Sequence, residues 1–301
     1  MRRKTTLAAL ICAAAALAVA PAASAEQRYV DPVFSATTVE DGVAFGEATN
    51  NRGETQTLRL DIHRPAGDTA TDRAAIVLAH GGGFRSGTRK HEGFGPIVEG
   101  FAKRGYVAFS IDYRLRPSGT PGARTDPEIV AEALTGTSPT IRDAQHDMQA
   151  AVRWVRANAA SLGIDPDQIA VGGESAGAIT AWQTAVNPED DGSSNDIDVP
   201  SSVSAAVSLW GAVDPDHVEA GAPPVLDVHG GADTTVPLAF GLGGCTVMTA
   251  FANTCEMVVL PQERHAPFHR ADDVLAESAG FLCRRAIPGC SGAPAAPVRV
   301  R

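Results

Sequence analysis

Gly173-Glu174-Ser175-Ala176-Gly177 limits what this chain can fold into more than any other segment. It follows an apolar run, Ile169-Ala170-Val171, and precedes a stretch of small residues of helical length, 176–184. A strand, a sharp turn and a helix in that order lift a serine hydroxyl clear of the end of a sheet. The turn places the serine in a strained backbone conformation. Glycines two residues before and two after it let strand and helix approach closely. Ser175 is therefore the candidate nucleophile.

A second unit lies upstream. Ala75-Ile76-Val77-Leu78-Ala79 reads as a buried strand and runs directly into His80-Gly81-Gly82-Gly83-Phe84. Backbone N–H groups that are to face a developing alkoxide need an approach that side chains do not block, and successive glycines provide it. This is the form of an oxyanion loop.

Together these segments resemble the α/β-hydrolases of the carboxylesterase and hormone-sensitive-lipase-like group. Ser110-Ile111-Asp112-Tyr113-Arg114-Leu115 is similar to the D-Y-R-L segment of those enzymes. Residues 143–178 also resemble them, with a long helix, Gly163-Ile164-Asp165-Pro166 and the elbow strand. The resemblance covers 58–282. It implies an α/β fold with a mostly parallel central sheet flanked by helices, and ester hydrolysis through an acyl-enzyme. It also implies that the N–H groups of Gly82, Gly83 and Ala176 bind the oxyanion.

In this fold the order along the chain is serine, then acid, then histidine. Val225-Leu226-Asp227-Val228-His229 reads as a late strand, and Gly230-Gly231-Ala232-Asp233 follows it. Asp233 matches the family's acid position. Asp227 competes, but it lies within the strand rather than at its end. Asp214 and Asp216 follow the preceding strand, where a few hydrolases place the acid. Two histidines come after Asp233. His265 stands close behind the strand Glu256-Met257-Val258-Val259-Leu260, where the family's histidine falls. His269 is expected at the surface, in or just before the terminal helix. His80 belongs to the oxyanion loop. His63, His91, His146, His217 and His229 have no motif around them and read as structural.

The N-terminus has the layout of an export signal: Arg2-Arg3-Lys4, an apolar alanine-rich stretch over 7–20, and Ala23-Ser24-Ala25 as the cleavage site. Residues 1–25 are thus expected to be removed and the protein secreted. The apolar stretch is too short for a membrane anchor, and Cys12 is not placed for lipid attachment. Removing 25 of the 301 residues leaves 276, enough for one domain, expected over 26–287. Cys245, Cys255, Cys283 and Cys290 remain. An even count in an exported chain predicts two disulfides, and proximity favours Cys245–Cys255 and Cys283–Cys290. The remaining 22 basic residues face 35 acidic ones, which argues against nucleic acid or an anionic membrane as partner.

Turns are expected at Asp41-Gly42 and Asn51-Arg52-Gly53. A helix capped by Ser138, with Pro139 in its first turn, should bury Ile141, Ala144, Met148, Ala151, Val152 and Val155. Residues 116–138 form a long connection placed to line the site. The acidic stretch 187–200 has no EF-hand spacing and reads as a solvated loop. Residues 288–301 read as a disordered tail. Only fourteen residues, 211–224, separate two late strands, too few for a helical lid, so the cleft should be open and no large lid is expected. The resulting expectation is a secreted serine esterase using Ser175, Asp233 and His265 without cofactor or metal, on a small-molecule or polymeric ester. A serine peptidase of the prolyl-oligopeptidase type and a non-catalytic binding module are the rival readings.

Overall fold

The chain enters the sheet through two antiparallel strands, β1 (Thr37–Thr49) and β2 (Thr55–Pro65), with β1 largely exposed at the edge. In the next strand, β3 (Arg73–Ala79), every residue is buried. Ala75, Val77 and Ala79 join the core on one side of the sheet, and Ala74, Ile76 and Leu78 the core on the other. A run of apolar residues without polar alternation is what a central strand covered on both faces requires.

The computed structural model describes residues 27–50, 52–116, 128, 131–132, 138–188, 192–291 and 299–300. The remaining strands are β4 (Val107–Ile111), β5 (Ile164–Glu174), β6 (Ala206–Leu209), β7 (Val225–Gly230), β8 (Cys255–Leu260) and the two-residue β9 (Arg299–Val300). They form one sheet in the order β1-β2-β4-β3-β5-β6-β7-β8-β9. From β4 to β9 every pairing is parallel. Helices α1 (Gly95–Lys103), α2 (Pro139–Ala157), α3 (Ala176–Val186), α4 (Leu238–Ala250) and α5 (Ala271–Arg285) cover it. Met148 of α2, Trp182 of α3 and Met248 of α4 pack on one face, and Phe101 of α1 and Phe281 of α5 on the other. This is the mostly parallel α/β-hydrolase architecture that the motifs implied. The C-terminal ends of β3, β5, β7 and β8 all open on the same side, so the four segments singled out in the sequence meet there.

The helical stripe of α2 is buried at all six expected positions. Pro139 begins the helix, but the Ser138 hydroxyl makes no capping bond, and its carbonyl takes the N–H groups of Ile141 and Arg142 instead. Asp41-Gly42 is not a turn. It forms a bulge inside β1, between Glu40 and Val43, where Gly42 has φ +71° and donates its N–H to Asp61 Oδ1 at 2.7 Å. The bulge gives the two residues a local bond while the strand continues beyond them. Within the tail, Arg299–Val300 forms a short parallel strand beside β8, opposite Val258 and Val259. Cys245–Cys255 ties α4 to β8, and Cys283–Cys290 ties α5 to the chain behind it. Residues 1–26 and most of the 116–138 connection, as well as Asp190 and Asp191, lie outside the described residues. Among those described, no helix is long and apolar enough to cross a membrane, and no group of side chains could hold a metal ion.

Arg114, just after β4, anchors three elements. Its N–H and Nε bond the carboxylate of Asp147 on α2 at 2.7 and 3.0 Å, and Nη1 reaches Asp143 at 3.0 Å. Asp147 is fully buried and also accepts from the Ser194 hydroxyl at 2.6 Å. Removing one partner leaves the other as an uncompensated buried charge. Arg114→Met should therefore cost about 3–5 kcal/mol in urea unfolding. Arg64→Met, which breaks the exposed pair with Glu40, should cost less than about 1 kcal/mol. Equal effects would show that Asp147 is not held by Arg114.

Candidate active site

Ser175 occupies the bend between β5 and α3 with φ +54° and ψ −116°. Its N–H donates to the Leu209 carbonyl at 3.0 Å. The glycines around it are required by space. A Cβ on Gly173 would stand 2.5 Å from the Gly177 carbonyl, and one on Gly177 would stand 2.1 Å from the Ala79 oxygen. The first turn of α3 therefore lies directly against the end of β3.

The three residues expected to work together do meet. His265 Nε2 lies 2.8 Å from Ser175 Oγ, and His265 Nδ1 lies 2.7 Å from Asp233 Oδ2. The other oxygen of Asp233 accepts the N–H groups of Thr235 and Val236 at 2.8 and 3.0 Å. A carboxylate held in this way presents Oδ2 to Nδ1–H and fixes the tautomer that leaves Nε2 free to accept the serine proton. Asp227 is elsewhere: it points into the core and pairs with His229 at 2.9 Å. Asp214 caps a short 3-10 turn by accepting the Asp216 N–H. His269 is exposed and faces Glu263 at 3.2 Å.

Gly82, Gly83 and Ala176 line the same cleft as Ser175 and His265. Gly82 has φ +111°, and a Cβ there would stand 2.0 Å from the Ser86 carbonyl. The loop is braced from below. The Tyr113 hydroxyl donates to the His80 carbonyl at 2.8 Å and its ring stacks on the His80 imidazole. Arg89 closes the far end of the loop by bonding Asp61 at 2.6 Å and Asp112 at 2.7 Å. The D-Y-R-L segment thus contributes a residue to each brace. Burial lowers the pKa of the His80 imidazole, although its bond to the Gly81 carbonyl opposes this.

Several residues of the site had no assigned role in the sequence. Glu174 is buried, and its carboxylate accepts the Gly81 N–H at 2.5 Å and the Trp210 indole N–H at 3.4 Å. It joins the elbow to the oxyanion loop and takes up the N–H of the first loop glycine. Burial pushes the Glu174 carboxyl up, against the lowering effect of those two bonds and of His91 and His265 nearby. His91 enters the cleft 3.8 Å from Glu174, beside the ring of Phe268. Nothing in the local sequence marks His91, which lies in the segment between the glycine loop and α1. Phe84, Ser175 and Ala266 all have positive φ and all line the cleft, so backbone strain gathers at this site.

The sheet order, the elbow after β5 and the glycine loop after β3 define an α/β-hydrolase. The chain belongs to the carboxylesterase family, whose model matches residues 32–206. It is 32% identical over 180 residues to "Secreted lipase 1" of Botryotinia fuckeliana, an alignment covering 55% of this chain and 29% of that protein. The chain thus spans under a third of the length of the curated relatives it matches. Among solved structures, an esterase of Thermogutta terrifontis with butyrate bound is 26% identical, with a TM-score of 0.67 over 84% of this chain and 96% of that one. The same organism's esterase 2 phosphorylated by paraoxon is 27% identical, with a TM-score of 0.66 over 81% and 93%.

The steric limit at Gly82 can be tested. Gly82→Ala should lower turnover of a short-chain p-nitrophenyl ester by about 10²-fold or more, the size of a lost oxyanion donor. Gly95→Ala, where nothing lies within 4 Å of the added atom, should leave turnover unchanged. Wild-type turnover by Gly82→Ala would remove this loop from the site.

Proposed function

We propose that this chain is an exported serine esterase acting on small carboxylic esters. The observation that carries the reading is the unbroken series of hydrogen bonds Ser175–His265–Asp233, ending in a cleft lined by the glycine loop and the start of α3. In this mechanism His265 Nε2 takes the Ser175 proton as Oγ attacks the ester carbonyl. Asp233 orients the imidazole and stabilises its charged form. The N–H groups of Gly82, Gly83 and Ala176 receive the oxyanion, and the positive end of the α3 dipole adds to them. His265 then protonates the leaving alcohol. Water attacks the acyl-enzyme with His265 as base, and Ser175 regains its proton.

Cleft size supports a short acyl group. Its volume is about 370 Å³, and Phe84, Ile179, Val236, Ala266 and Phe268 supply apolar walls. Butyrate, bound in the Thermogutta terrifontis relative, is of a size this cleft admits. Export rests on the leader-like residues 1–25, with cleavage after Ala25, and agrees with the two disulfides. Chemistry of this kind needs neither cofactor nor metal.

A fluorophosphonate probe should label Ser175 of the wild type, and peptide mapping locates the adduct. Ser175→Ala should lose labelling and about 10³-fold or more in kcat with the fold intact, because such residues act as a unit. His265→Ala should lose as much, and His269→Ala little. An active Ser175→Ala protein, or an inactive His269→Ala one, would overturn the assignment. A p-nitrophenyl ester series should favour acyl chains of about four carbons or fewer, the size of the bound butyrate, within a cleft in the ordinary range for small ligands.

A further inference from the structure

His229 takes no part in that reaction, yet it is completely buried beside it. On β7, residues two apart point the same way, so Asp227 and His229 face the core together. His229 Nδ1 lies 2.9 Å from Asp227 Oδ2, and Nε2 lies 2.8 Å from the Val236 carbonyl. A carbonyl only accepts, so Nε2 carries a hydrogen. Asp227 Oδ1 already accepts from the Ser208 hydroxyl at 2.7 Å, and Oδ2 faces Nδ1. Both ring nitrogens therefore face acceptors, and a neutral imidazole has a single N–H to offer them. Asp233 Oδ2, the atom that meets His265, lies 3.7 Å from His229 Nε2. Val236 joins the two sides: its N–H goes to Asp233 and its carbonyl to His229.

Charged groups reach His229 from its own strand, as Asp227, and from the following turn, as Asp233. Strand β6 offers only the Ser208 hydroxyl. Helix α4, which lies over the pair, has no charged side chain. It approaches through Gly241, where a Cβ would stand 2.2 Å from Asp227 Oδ2 and 2.9 Å from His229 Nδ1. Burial alone would lower the His229 pKa. The charge and hydrogen bond of Asp227, the Val236 carbonyl and the charge of Asp233 outweigh it and hold the imidazole at about 9.

We propose that His229 is a positioning residue: an imidazolium that locks the Asp233 turn through Val236 and places a positive charge behind the Asp233 carboxylate. The inference rests on the reading of Ser175, His265 and Asp233 given above. Asp227, His229, Asp233 and His265 then form a row of alternating charge whenever His265 is protonated. A cation behind Asp233 draws on the same negative charge that holds protonated His265. It thereby weakens that hold, which favours return of the proton to the leaving group. Taking the cation away tightens the hold and loosens the turn.

The test compares wild type with His229→Gln and His229→Ala. Gln keeps one N–H for the Val236 carbonyl but carries no charge; Ala keeps neither. For both, the acid limb of the pH profile of kcat/KM should move to higher pH. The kcat should fall by about 10- to 100-fold, the scale of a small misplacement of reacting groups, with KM little changed. Folded variants with wild-type kcat and an unmoved limb overturn the proposal, whatever their melting temperature. The pH dependence of stability gives a second readout. A pKa raised from 6.5 to about 9 supplies stability that is complete below about 6.5 and lost as pH rises through about 9. His229→Gln should remove that part of the slope. If neither variant folds, histidine-selective 15N spectra of the wild type decide the question. At about pH 8, where an ordinary histidine is neutral, one imidazole should carry protons on both nitrogens. If every imidazole is neutral there, the proposal is overturned. Fluorophosphonate labelling separates the two levels of failure: an unlabelled wild type overturns the catalytic reading itself, whereas a labelled wild type with unmoved variants overturns the role of His229 alone.

Discussion

The close approach of the first turn of α3 to the end of β3 is the contact on which the rest of the site depends. Gly177 lies so near the Ala79 and His80 carbonyls that no side chain fits between them. With the pairing of Ala79 and Gly173 in the sheet, this contact brings the serine elbow up to the glycine loop, although the two segments are about ninety residues apart in the chain. Glu174 then fastens the elbow to Gly81, so the side chain next to the nucleophile holds the backbone that faces it. Placing a buried carboxylate there is costly unless it is hydrogen-bonded. The Gly81 amide and the Trp210 indole meet that requirement while leaving Gly82 and Gly83 turned toward the cleft.

The central sheet and the principal site residues were legible because each carries a local signature. Unbroken apolar runs identify β3 and β5, and glycine spacing identifies the turns after them. Chain order narrows the remaining acids and histidines, and the resemblance to the family, with its acid after a late strand and its histidine close behind the last one, points to Asp233 and His265. Legibility ended where a residue's role depends on its three-dimensional neighbours. Asp41-Gly42 has the composition of a turn, but Asp61 across the ladder accepts its N–H and the strand continues past a bulge. Ser138 has the composition of a cap, yet its hydroxyl is not used as one. His91 and His229 look alike in sequence. One lies open in the cleft, and the other is enclosed between two carboxylates.

The geometry also accounts for why the histidine that meets Ser175 comes from the loop after β8 rather than from β7. Strand β7 sends Asp227 and His229 inward, under α4, where neither reaches Ser175. Only when β7 ends at Gly230 does the chain turn outward and bring Asp233 up to the loop after β8. The N–H groups of Thr235 and Val236, two and three residues after Asp233, bond its carboxylate, so the turn that carries the acid also fixes its direction. The acid is therefore set by backbone geometry on one side and by an imidazole on the other. Thr235, Val236 and His265, which set the acid, also line the cleft, so its direction is fixed at the cleft wall itself.

Helix α4 completes this dependence. Three of its thirteen residues are glycine, each costing about 1 kcal/mol of helix propensity relative to alanine. At two of the three, Gly241 and Gly244, a larger residue would hold the helix away. Gly241 lies against Asp227 and His229, and Gly244 lies against the Trp182 ring, where an added Cβ would stand 2.8 Å away. A helix this weak needs help to stay in place. The Cys245–Cys255 disulfide, one residue past Gly244, fastens it to the first residue of β8. Cross-linking of this kind removes conformational freedom mainly from the unfolded chain. The disulfide thus holds a glycine-rich helix over a buried ion pair, and the ion pair in turn holds the turn that carries Asp233.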